Sequence, residues 1–328
     1  MCTPRAAGPA AVLGLGLGLV LATAPVPDAR AWPERPVRVV IPFAPGGGTD
    51  ATIRIIADAM KGALGQPLVL DNRPGASTII GTDIVAKSKP DGHTVLLVTS
   101  TFSINPSLQS KMPYDPVKDF APVTLVARTP YVMVVHPSLP ARNVKELVAL
   151  ARARPGELTY ASVGTGSSTH LATELLVSRS GMKLVHVPYK GSSAALADLL
   201  GGHVSMYLGS MPASLPQARS GKLRALAVTG PTRAAAAPEL PTIAESGIPG
   251  YEFTAWYGMF MSAGTPVAIV GQLQTAVRAV VEREDIRRLY AAEGNESVGS
   301  TPEQFAAVVR DDIARYAKIV RDAGIRPD

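Results

Sequence analysis

Short runs of β-branched and apolar residues alternate with helical stretches along most of this 328-residue chain. The first run, VRVVIPF, is followed by apolar residues at helical spacing and then by Gly65, a typical helix stop. This first alternation comprises predicted strands at 37–43, 68–70 and 94–100 and predicted helices at 53–64 and 78–88. Strands and helices in this alternating order predict a parallel sheet with right-handed crossover connections.

A second alternation of the same kind starts after residue 130. It comprises predicted strands at 131–137, 158–164, 184–189, 203–209 and 223–229 and predicted helices at 143–153, 168–178 and 192–200. Asn143 and Glu146 form a capping box at the start of the first of these helices. The second unit does not repeat the sequence of the first, so it is a separate α/β unit.

The C-terminal tail contains two predicted helices, at 267–284 and 302–323, and too little strand to form a domain of its own. Thr301 is the predicted N-cap of the second helix, with Pro302 at its first position and Gln304 closing a capping box. We expect this tail to pack back onto the first unit.

Two lobes are therefore expected, the first of them discontinuous. The expected bounds are 32–128 with 256–328 for the first lobe and 129–255 for the second, with crossings near 127–131 and 253–257. The fold class is α/β, and each lobe holds a mostly parallel sheet flanked by helices. Such sheets bind small molecules at the carboxyl ends of their strands, so the cleft between the lobes is the expected ligand site.

Composition argues against several other classes. Hydrophobic residues make up 46% of the chain and charged residues 18%, which favours packed cores over disorder. Aromatic residues make up 5%, and the net charge of +6 is spread along the chain without a run of Lys and Arg. Nucleic-acid binding, which needs a basic surface that follows the phosphate backbone, is not expected.

The N-terminus has the layout of a secretory signal peptide. Arg5 precedes an apolar stretch at 6–24, after which two prolines and a small-residue A-x-A pattern lead to Ala31. We expect a periplasmic protein with cleavage between Ala31 and Trp32; a membrane anchor is the alternative, since the stretch approaches the length that spans a bilayer. Cys2 is the single cysteine, so the mature chain would offer no disulfide, thiolate nucleophile or cysteine metal ligand.

Two glycine-rich loops join a strand to a helix, one in each unit. PFAPGGGTD (42–50) and VGTGSSTH (163–170) let the backbone approach a ligand and place free N–H groups at a helix N-terminus, which suits an anion. Each could instead be only a tight turn. The second loop is not a P-loop, and it also fails the dinucleotide fingerprint and the G-x-S-x-G nucleophile pattern. The candidate ligand-binding residues of the two loops are Phe43, Ala44, Gly47, Gly48, Thr49, Asp50, Thr165, Gly166, Ser167 and His170.

Two further strand ends add polar candidates. Ser100 and Thr101 follow the third predicted strand and should face the cleft. Tyr189 and Lys190 end another strand, and Lys190 could counter a carboxylate or could be a solvated residue on a turn.

No catalytic or metal-binding residue is predicted. The histidines, His93, His136, His170, His186 and His203, are not paired at metal-ligand spacing. His170 fits a satisfied structural group better than a catalytic base. A Ser-His-acid hydrolase could be assembled only from distant residues, without a nucleophile motif to support it. No cofactor is implied.

Eight segments together resemble a known family. In chain order they are PFAPGGGTD, NRPGAS, KPDGHTVLLVTS, YDPVKDFAPVTLVA, SVGTGSSTHLATELL, HVPYKGSSAALADLLGGHV, GKLRALAVT and ELPTIAESGIPGYE. They resemble the Bug-type receptors, the substrate-binding proteins of tripartite tricarboxylate transporters, from Trp32 nearly to Asp328. The resemblance implies a Venus-flytrap fold whose lobes close on a carboxylate-bearing solute.

The resemblance also implies which residues bind the carboxylate. Residues 43–50 match the first carboxylate loop of the family and residues 162–170 the second, and the family holds the carboxylate by backbone N–H groups, hydroxyls and ordered waters. The chain departs from the pattern at GAST (75–78), where relatives are richer in glycine. It departs again at Leu208, Gly209 and Ser210, where many relatives have an acidic or amide residue facing the cleft. Gly209 and Ser210 are therefore also candidate ligand contacts.

A transport receptor is the leading functional hypothesis: it would capture a small organic carboxylate and deliver it to membrane permease subunits, without catalysis. The alternatives are a ligand sensor that docks on the periplasmic domain of a signalling kinase and an enzyme on the same scaffold. An ammonium group on the ligand is not expected, because a buried cation needs a carboxylate partner and Asp50 is predicted to be engaged at its helix. Phe43, Phe102 and Leu208 would give the rest of the ligand an apolar surface.

Overall fold

The computed structural model of the protein describes residues 1–4, 32–322 and 324–325. Residues 1–4 are exposed and have no regular secondary structure. The core of the expected signal peptide, its cleavage site at Ala31 and the expected end of the last helix at residue 323 lie outside the described residues. Among the described residues, no helix is both long and apolar enough to span a membrane.

The strands and helices alternate for most of the chain. The strands are β1 (Val37–Ile41), β2 (Leu68–Asn72), β3 (Thr94–Thr99), β4 (Phe120–Val135), β5 (Thr159–Ser162), β6 (Val185–Pro188), β7 (Met206–Ser210), β8 (Arg224–Val228), β9 (Thr254–Ser262) and β10 (Glu296–Ser297). The helices are α1 (Gly48–Leu64), α2 (Ile79–Ala86), α3 (Thr101–Leu108), α4 (Val144–Ala153), α5 (Ser168–Ser180), α6 (Ser192–Leu200), α7 (Met211–Arg219), α8 (Val267–Val281), α9 (Glu284–Ala292) and α10 (Pro302–Asp322). A 3₁₀ turn, Ala76–Thr78, precedes α2.

The strands form two sheets that share β4. In the first sheet β2, β1 and β3 are parallel, and β9 lies antiparallel between β3 and the first part of β4. In the second sheet β6, β5 and β7 are parallel, and the last part of β4 pairs antiparallel with β7 and β8. This is the expected two-lobed α/β architecture, with antiparallel strands in the middle of an otherwise parallel arrangement.

Apolar patterning explains why these segments fold as they do. In α1, Ile53, Ile56 and Met60 are fully buried on one face, and the helix ends at Gly65 in the left-handed conformation with φ of 72°. Burial of such a side chain contributes about 1.5–3 kcal/mol, so the apolar face holds the helix on its sheet. The expected capping box is confirmed at Thr301, whose Oγ1 accepts the Gln304 N–H at 3.3 Å.

The expected crossings between the lobes are hydrogen-bonded strands rather than loops. β4 starts at Phe120, eleven residues before the predicted strand, and β9 was not predicted as a strand. The two strands pair antiparallel, with Ala127 opposite Tyr257 and Pro130 opposite Thr254. The two connections therefore lie side by side as one hydrogen-bonded pair, and we call β4 and β9 the hinge strands.

The helices α3, α7 and α9 were not predicted either. α3 contains Pro106 and α7 contains Pro216, and internal proline argues against a helix when only the sequence is considered. The helix predicted at 267–284 is α8, which ends at Val281, and α9 begins at Glu284 after the chain leaves the helical conformation at Arg283.

Candidate functional site

The first residues of three helices line one small cavity at the carboxyl ends of the strands. α1 follows β1, α5 follows β5 and α6 follows β6, and the cavity has a volume of about 30 Å³. The helical residues in its wall are Gly48 and Thr49 from α1, Ser168 and Thr169 from α5, and Ser192 from α6. Because α1 packs on the first sheet and the other two helices pack on the second, the cavity lies between the lobes.

A larger cavity of about 210 Å³ adjoins the first one. Phe43 and Val163 belong to both walls. The rest of the larger wall comes from the segment 75–78, from Thr101 and Ser167, and from the loop that contains Tyr189 and Lys190. Both linings combine polar and apolar residues.

The electrostatics of this region favour an anion. The first-turn N–H groups of a helix have no partner within the helix, and the helix dipole places partial positive charge there. Gly47, the N-cap of α1, makes no side-chain capping bond. Among the described residues that line the two cavities, the exposed Lys190 is the charged one, and it is basic. A carboxylate matches such a site, whereas an ammonium group would find no counter-charge.

Asp50 stabilises the first glycine loop by hydrogen bonds. Its carboxylate accepts the Gly46 N–H at 3.1 Å and the Arg54 Nε–H at 2.8 Å, and it also lies within hydrogen-bond reach of Asn72. Burial raises the pKa of this carboxyl, but the hydrogen bonds from Arg54 and Gly46 outweigh burial and hold the pKa below its ordinary value. Asp50 is therefore ionised and stabilises the loop by its hydrogen bonds, and it lines neither cavity.

His170 holds the second loop in the same way. Its Nδ1 accepts the Gly166 N–H at 3.1 Å, and its ring stacks on His186 with centroids 4.1 Å apart. Burial, together with the charge of His186, lowers the pKa of His170 to about 3, so the ring is neutral and can accept. Asp50 and His170 are each the third residue of a helix, and each binds the N–H group four residues earlier.

Hydrogen bonds between three pairs of residues join the two sides of the cleft. Thr101 Oγ1 accepts the Ser168 N–H at 3.1 Å and lies 3.3 Å from Ser168 Oγ. Ser193 Oγ donates to the Pro45 carbonyl at 3.2 Å. Ser77 Oγ, in the wall of the larger cavity, donates to the Thr165 carbonyl. The lobes therefore meet directly at both glycine loops.

Three tyrosines in the small cavity's wall were missed by sequence reasoning: Tyr131, Tyr207 and Tyr257. The Tyr131 hydroxyl lies 2.6 Å from Ser168 Oγ, and the Tyr207 hydroxyl donates to Ser192 Oγ at 3.3 Å. Burial raises the pKa of Tyr207 to about 12 and that of Tyr131 well above its ordinary value, so both phenols stay protonated. They come from β4, β7 and β9, and only the pairing of these strands brings them together.

The segment 75–78, noted above for its departure from the family pattern, is a second missed part of the wall. Ala76, Ser77 and Thr78 have φ of 44°, 48° and 81°, a left-handed conformation that costs non-glycine residues energy. Asn105 stabilises it, because its amide donates to the Ser77 carbonyl at 3.0 Å. No local sequence signal indicates this conformation in the absence of glycine at these positions.

The predicted site residues fall into two groups. Those that line a cavity are Phe43, Ala44, Gly47, Gly48, Thr49, Thr101, Ser167, Tyr189, Lys190 and Ser210. Those that line neither cavity are Asp50, Ser100, Thr165, Gly166, His170 and Gly209. In the second group, Ser100 is a fully buried N-cap of α3, and Gly209 packs against Tyr207 and Ser214. Within the first group, the Tyr189 phenol donates to Asp198 at 2.6 Å, so it is already engaged.

A larger groove, of about 780 Å³, lies elsewhere on the hinge strands. Pro130 and Trp256 line this groove, while their neighbours Tyr131 and Tyr257 line the small cavity. Successive side chains of a strand point to opposite faces, so the groove lies behind the cleft. We place the candidate site in the smaller cavities despite their size, because the strand ends and helix N-termini meet there.

Two α/β lobes joined by paired strands, with helix N-termini in the cleft between them, define a periplasmic binding protein. The sequence model of the tripartite tricarboxylate transporter family receptor matches residues 52–325. The chain belongs to this family, which confirms the resemblance stated from the sequence. Its members are receptors rather than enzymes.

Relatives cover nearly the whole chain. Protein BugT from Bordetella pertussis is 38% identical over 318 residues, which are 96% of this chain and 97% of that protein. The structure of the R. palustris protein Rpa4515 with adipate is 40% identical, with a TM-score of 0.88 over 90% of this chain and 100% of that one. MatC from Rhodopseudomonas palustris, with bound malate, is 31% identical, with a TM-score of 0.84 over 88% and 100% of the two chains.

Proposed function

We propose that the protein is an exported receptor that binds a small organic carboxylate between its lobes and delivers it to a membrane permease. The observation that carries the proposal is the meeting of three helix N-termini at one cavity whose described lining contains no carboxylate side chain. Helix N-termini supply both N–H donors and partial positive charge, which are the two things that a carboxylate needs when it leaves water.

Two structural relatives support the ligand class. Rpa4515 was solved with adipate and MatC with malate, and both are carboxylates. The two cavities here suit such ligands, with the small one sized for a carboxylate and the adjoining 210 Å³ chamber available to the remainder. The proposed binding residues are those of both glycine loops and of the strand ends that line these cavities, with Ser77 and the three tyrosines added.

Binding is tested by thermal unfolding of the purified mature protein with a panel of organic acids. A ligand that binds only the folded state adds about 2.7 kcal/mol of stability at a hundredfold excess over its Kd. We expect some acids, but not the corresponding amides, to raise the melting temperature. A panel in which no acid changes the melting temperature would contradict the proposal.

Export is tested separately. We propose that the mature protein begins at Trp32, and intact-mass analysis of the periplasmic fraction should give the mass of residues 32–328. A membrane-retained species that begins near Met1 would instead indicate an anchor. Delivery to a permease is tested by uptake of the identified acid in cells with and without this gene, and unchanged uptake would exclude that role.

A further inference from the structure

Ser210 has an unusual environment among the hydroxyl residues of the small cavity. It is the last residue of β7 and is 6% exposed, and it lines the cavity. Its Oγ is buried and has no hydrogen-bond partner among the described residues. By contrast, the Ser168 and Ser192 hydroxyls already pair with Tyr131 and Tyr207. A buried hydroxyl without a partner is costly, so its presence in a cavity wall indicates a group that the protein does not itself supply.

The Ser210 hydroxyl lies beside the first turn of α1. A Cβ atom added to Gly48 would come within 2.7 Å of Ser210 Cβ and 2.9 Å of the Tyr257 hydroxyl. Gly48 is the first residue of α1, and its helix is not capped by a side chain. A carboxylate that accepts the free N–H groups of this turn would therefore lie beside Ser210.

We propose that Ser210 is a specificity-determining residue that selects carboxylates bearing a hydroxyl group on the carbon next to the carboxylate. This inference rests on the proposed function and names the class of acid that the site prefers. The ligand hydroxyl would complete the missing hydrogen bond of Ser210, whereas an acid without it leaves the Ser210 hydroxyl buried and unpaired. A site built to bind a hydroxyl group discriminates against the analogue that lacks it for this reason.

Ser214 provides a matched control. It is fully buried on α7, one helical turn after Ser210, and its Oγ also has no partner among the described residues. Ser214 differs from Ser210 in that it is absent from the described lining of both cavities. Removing its hydroxyl should therefore leave ligand preference unchanged.

The test is calorimetric titration of the purified mature protein with three matched pairs of acids: lactate and propionate, malate and succinate, mandelate and phenylacetate. In any pair that binds, we expect the hydroxy acid to bind about tenfold more tightly to the wild-type protein. Ser210→Ala should reduce this ratio to near one, because the plain acid no longer leaves a hydroxyl unpaired and the hydroxy acid loses its partner, and Ser214→Ala should retain the ratio. Thermal unfolding of both variants checks that they are folded.

Four results would overturn the inference. Equal wild-type affinities within every pair that binds would remove the preference itself. An equal loss for both members of a pair in Ser210→Ala would show that Ser210 serves the carboxylate or lobe packing. If carboxylates outside these pairs bind but no hydroxy acid does, the selection is for another group. If no carboxylate binds at all, the proposed function fails first and the inference fails with it.

Discussion

His170 and Asp50 show that different side chains can perform the same structural task. Each is the third residue of a helix and accepts the N–H group of a loop glycine at 3.1 Å. His170 accepts that of Gly166, and Asp50 accepts that of Gly46. One acceptor is an anion and the other a buried neutral ring, so they respond differently to pH. For Asp50, ionisation stabilises the folded state above the carboxyl's ordinary pKa, and this contribution is lost as the pH falls through its lowered value.

The neutral ring of His170 predicts a measurable pH dependence of stability. Its pKa is about 3 in the folded chain and near 6.5 in the unfolded chain, so between these values the unfolded chain binds one more proton. Stability then falls as the pH decreases from 6.5 towards 3, by up to about 1.4 kcal/mol per pH unit, and is unaffected by this group above 6.5.

The variant His170→Asn separates this effect from those of other groups. The asparagine oxygen can accept the Gly166 N–H but does not titrate, so we expect a shallower loss of stability in acid than for the wild-type protein. Denaturant unfolding from pH 4.5 to pH 8 measures the difference. Parallel curves for the two proteins would mean that His170 is protonated as readily in the folded as in the unfolded chain.

The absence of acids from the described cavity linings predicts discrimination against amino acids. Aspartate and succinate differ by one ammonium group, and desolvating that group without a counter-charge costs several kcal/mol. We expect aspartate to bind at least about a hundredfold more weakly than succinate, or not detectably. Calorimetric titration with the two acids measures the ratio, and tighter binding of aspartate would reveal an acidic contact that the structure does not place at the site.

At the scale of elements, α1 and the end of β7 are in close contact, and we expect this contact to limit how closely the lobes approach. Gly48 belongs to the first lobe and Ser210 to the second, and a Cβ on Gly48 would overlap Ser210. We expect Gly48→Ala to weaken ligand binding about tenfold or more while lowering the free energy of unfolding by less than about 1 kcal/mol. Gly48 has no left-handed φ, so alanine does not strain the backbone there.

A second substitution should restore the approach. In Gly48→Ala with Ser210→Gly, the added methyl group occupies the space that the serine side chain leaves, so affinity for a plain acid such as succinate should recover most of the loss. Gly62→Ala is the matched control, since Gly62 lies in the same helix with open space around it. Independent, additive effects of the two substitutions would show that they do not act through one contact.

The elements predicted correctly are those with strong local signals. β1 and α1 are apolar runs of the right period, and a glycine loop joins them, so both the elements and the loop were predicted. β9 was missed because its sequence, TAWYGMFMS, is buried along almost its whole length and has no alternation. Its Gly258 is accommodated by tertiary packing, since a Cβ there would overlap the Phe305 ring.

The same distinction applies to the site. Loop residues such as Phe43 and Thr101 could be predicted from strand ends, because the carboxyl ends of parallel strands meet at one edge. The tyrosines could not be, since Tyr131, Tyr207 and Tyr257 meet only through the pairing of β4 with β7 and β9. Likewise, the hydrogen bond from the Gly166 N–H to His170 depends on the orientation of the imidazole ring, which no sequence pattern specifies.

At the scale of the whole molecule, the paired strands β4 and β9 form the connection about which the lobes can move. We propose lobe bounds of 32–128 with 256–328 and 129–255, since the crossings at 127–131 and 253–257 then lie side by side in the ladder. Two strands joined by backbone hydrogen bonds can bend and twist together more easily than they can separate, which favours a hinge motion.

The last prediction follows from this hinge. The hydrogen bonds from Ser77 to Thr165 and from Ser168 to Thr101 join opposite lobes, and the wall of the small cavity takes residues from both of them. Ligand binding should therefore shift the population towards the closed arrangement, and small-angle scattering of the mature protein should give a smaller radius of gyration with a saturating acid than without it. Gly48→Ala, saturated with the same acid, should retain a larger radius than the wild-type protein because its lobes cannot approach fully. Identical scattering of the wild-type protein with and without ligand would mean that the cleft is preformed and that Gly48 acts on the ligand directly.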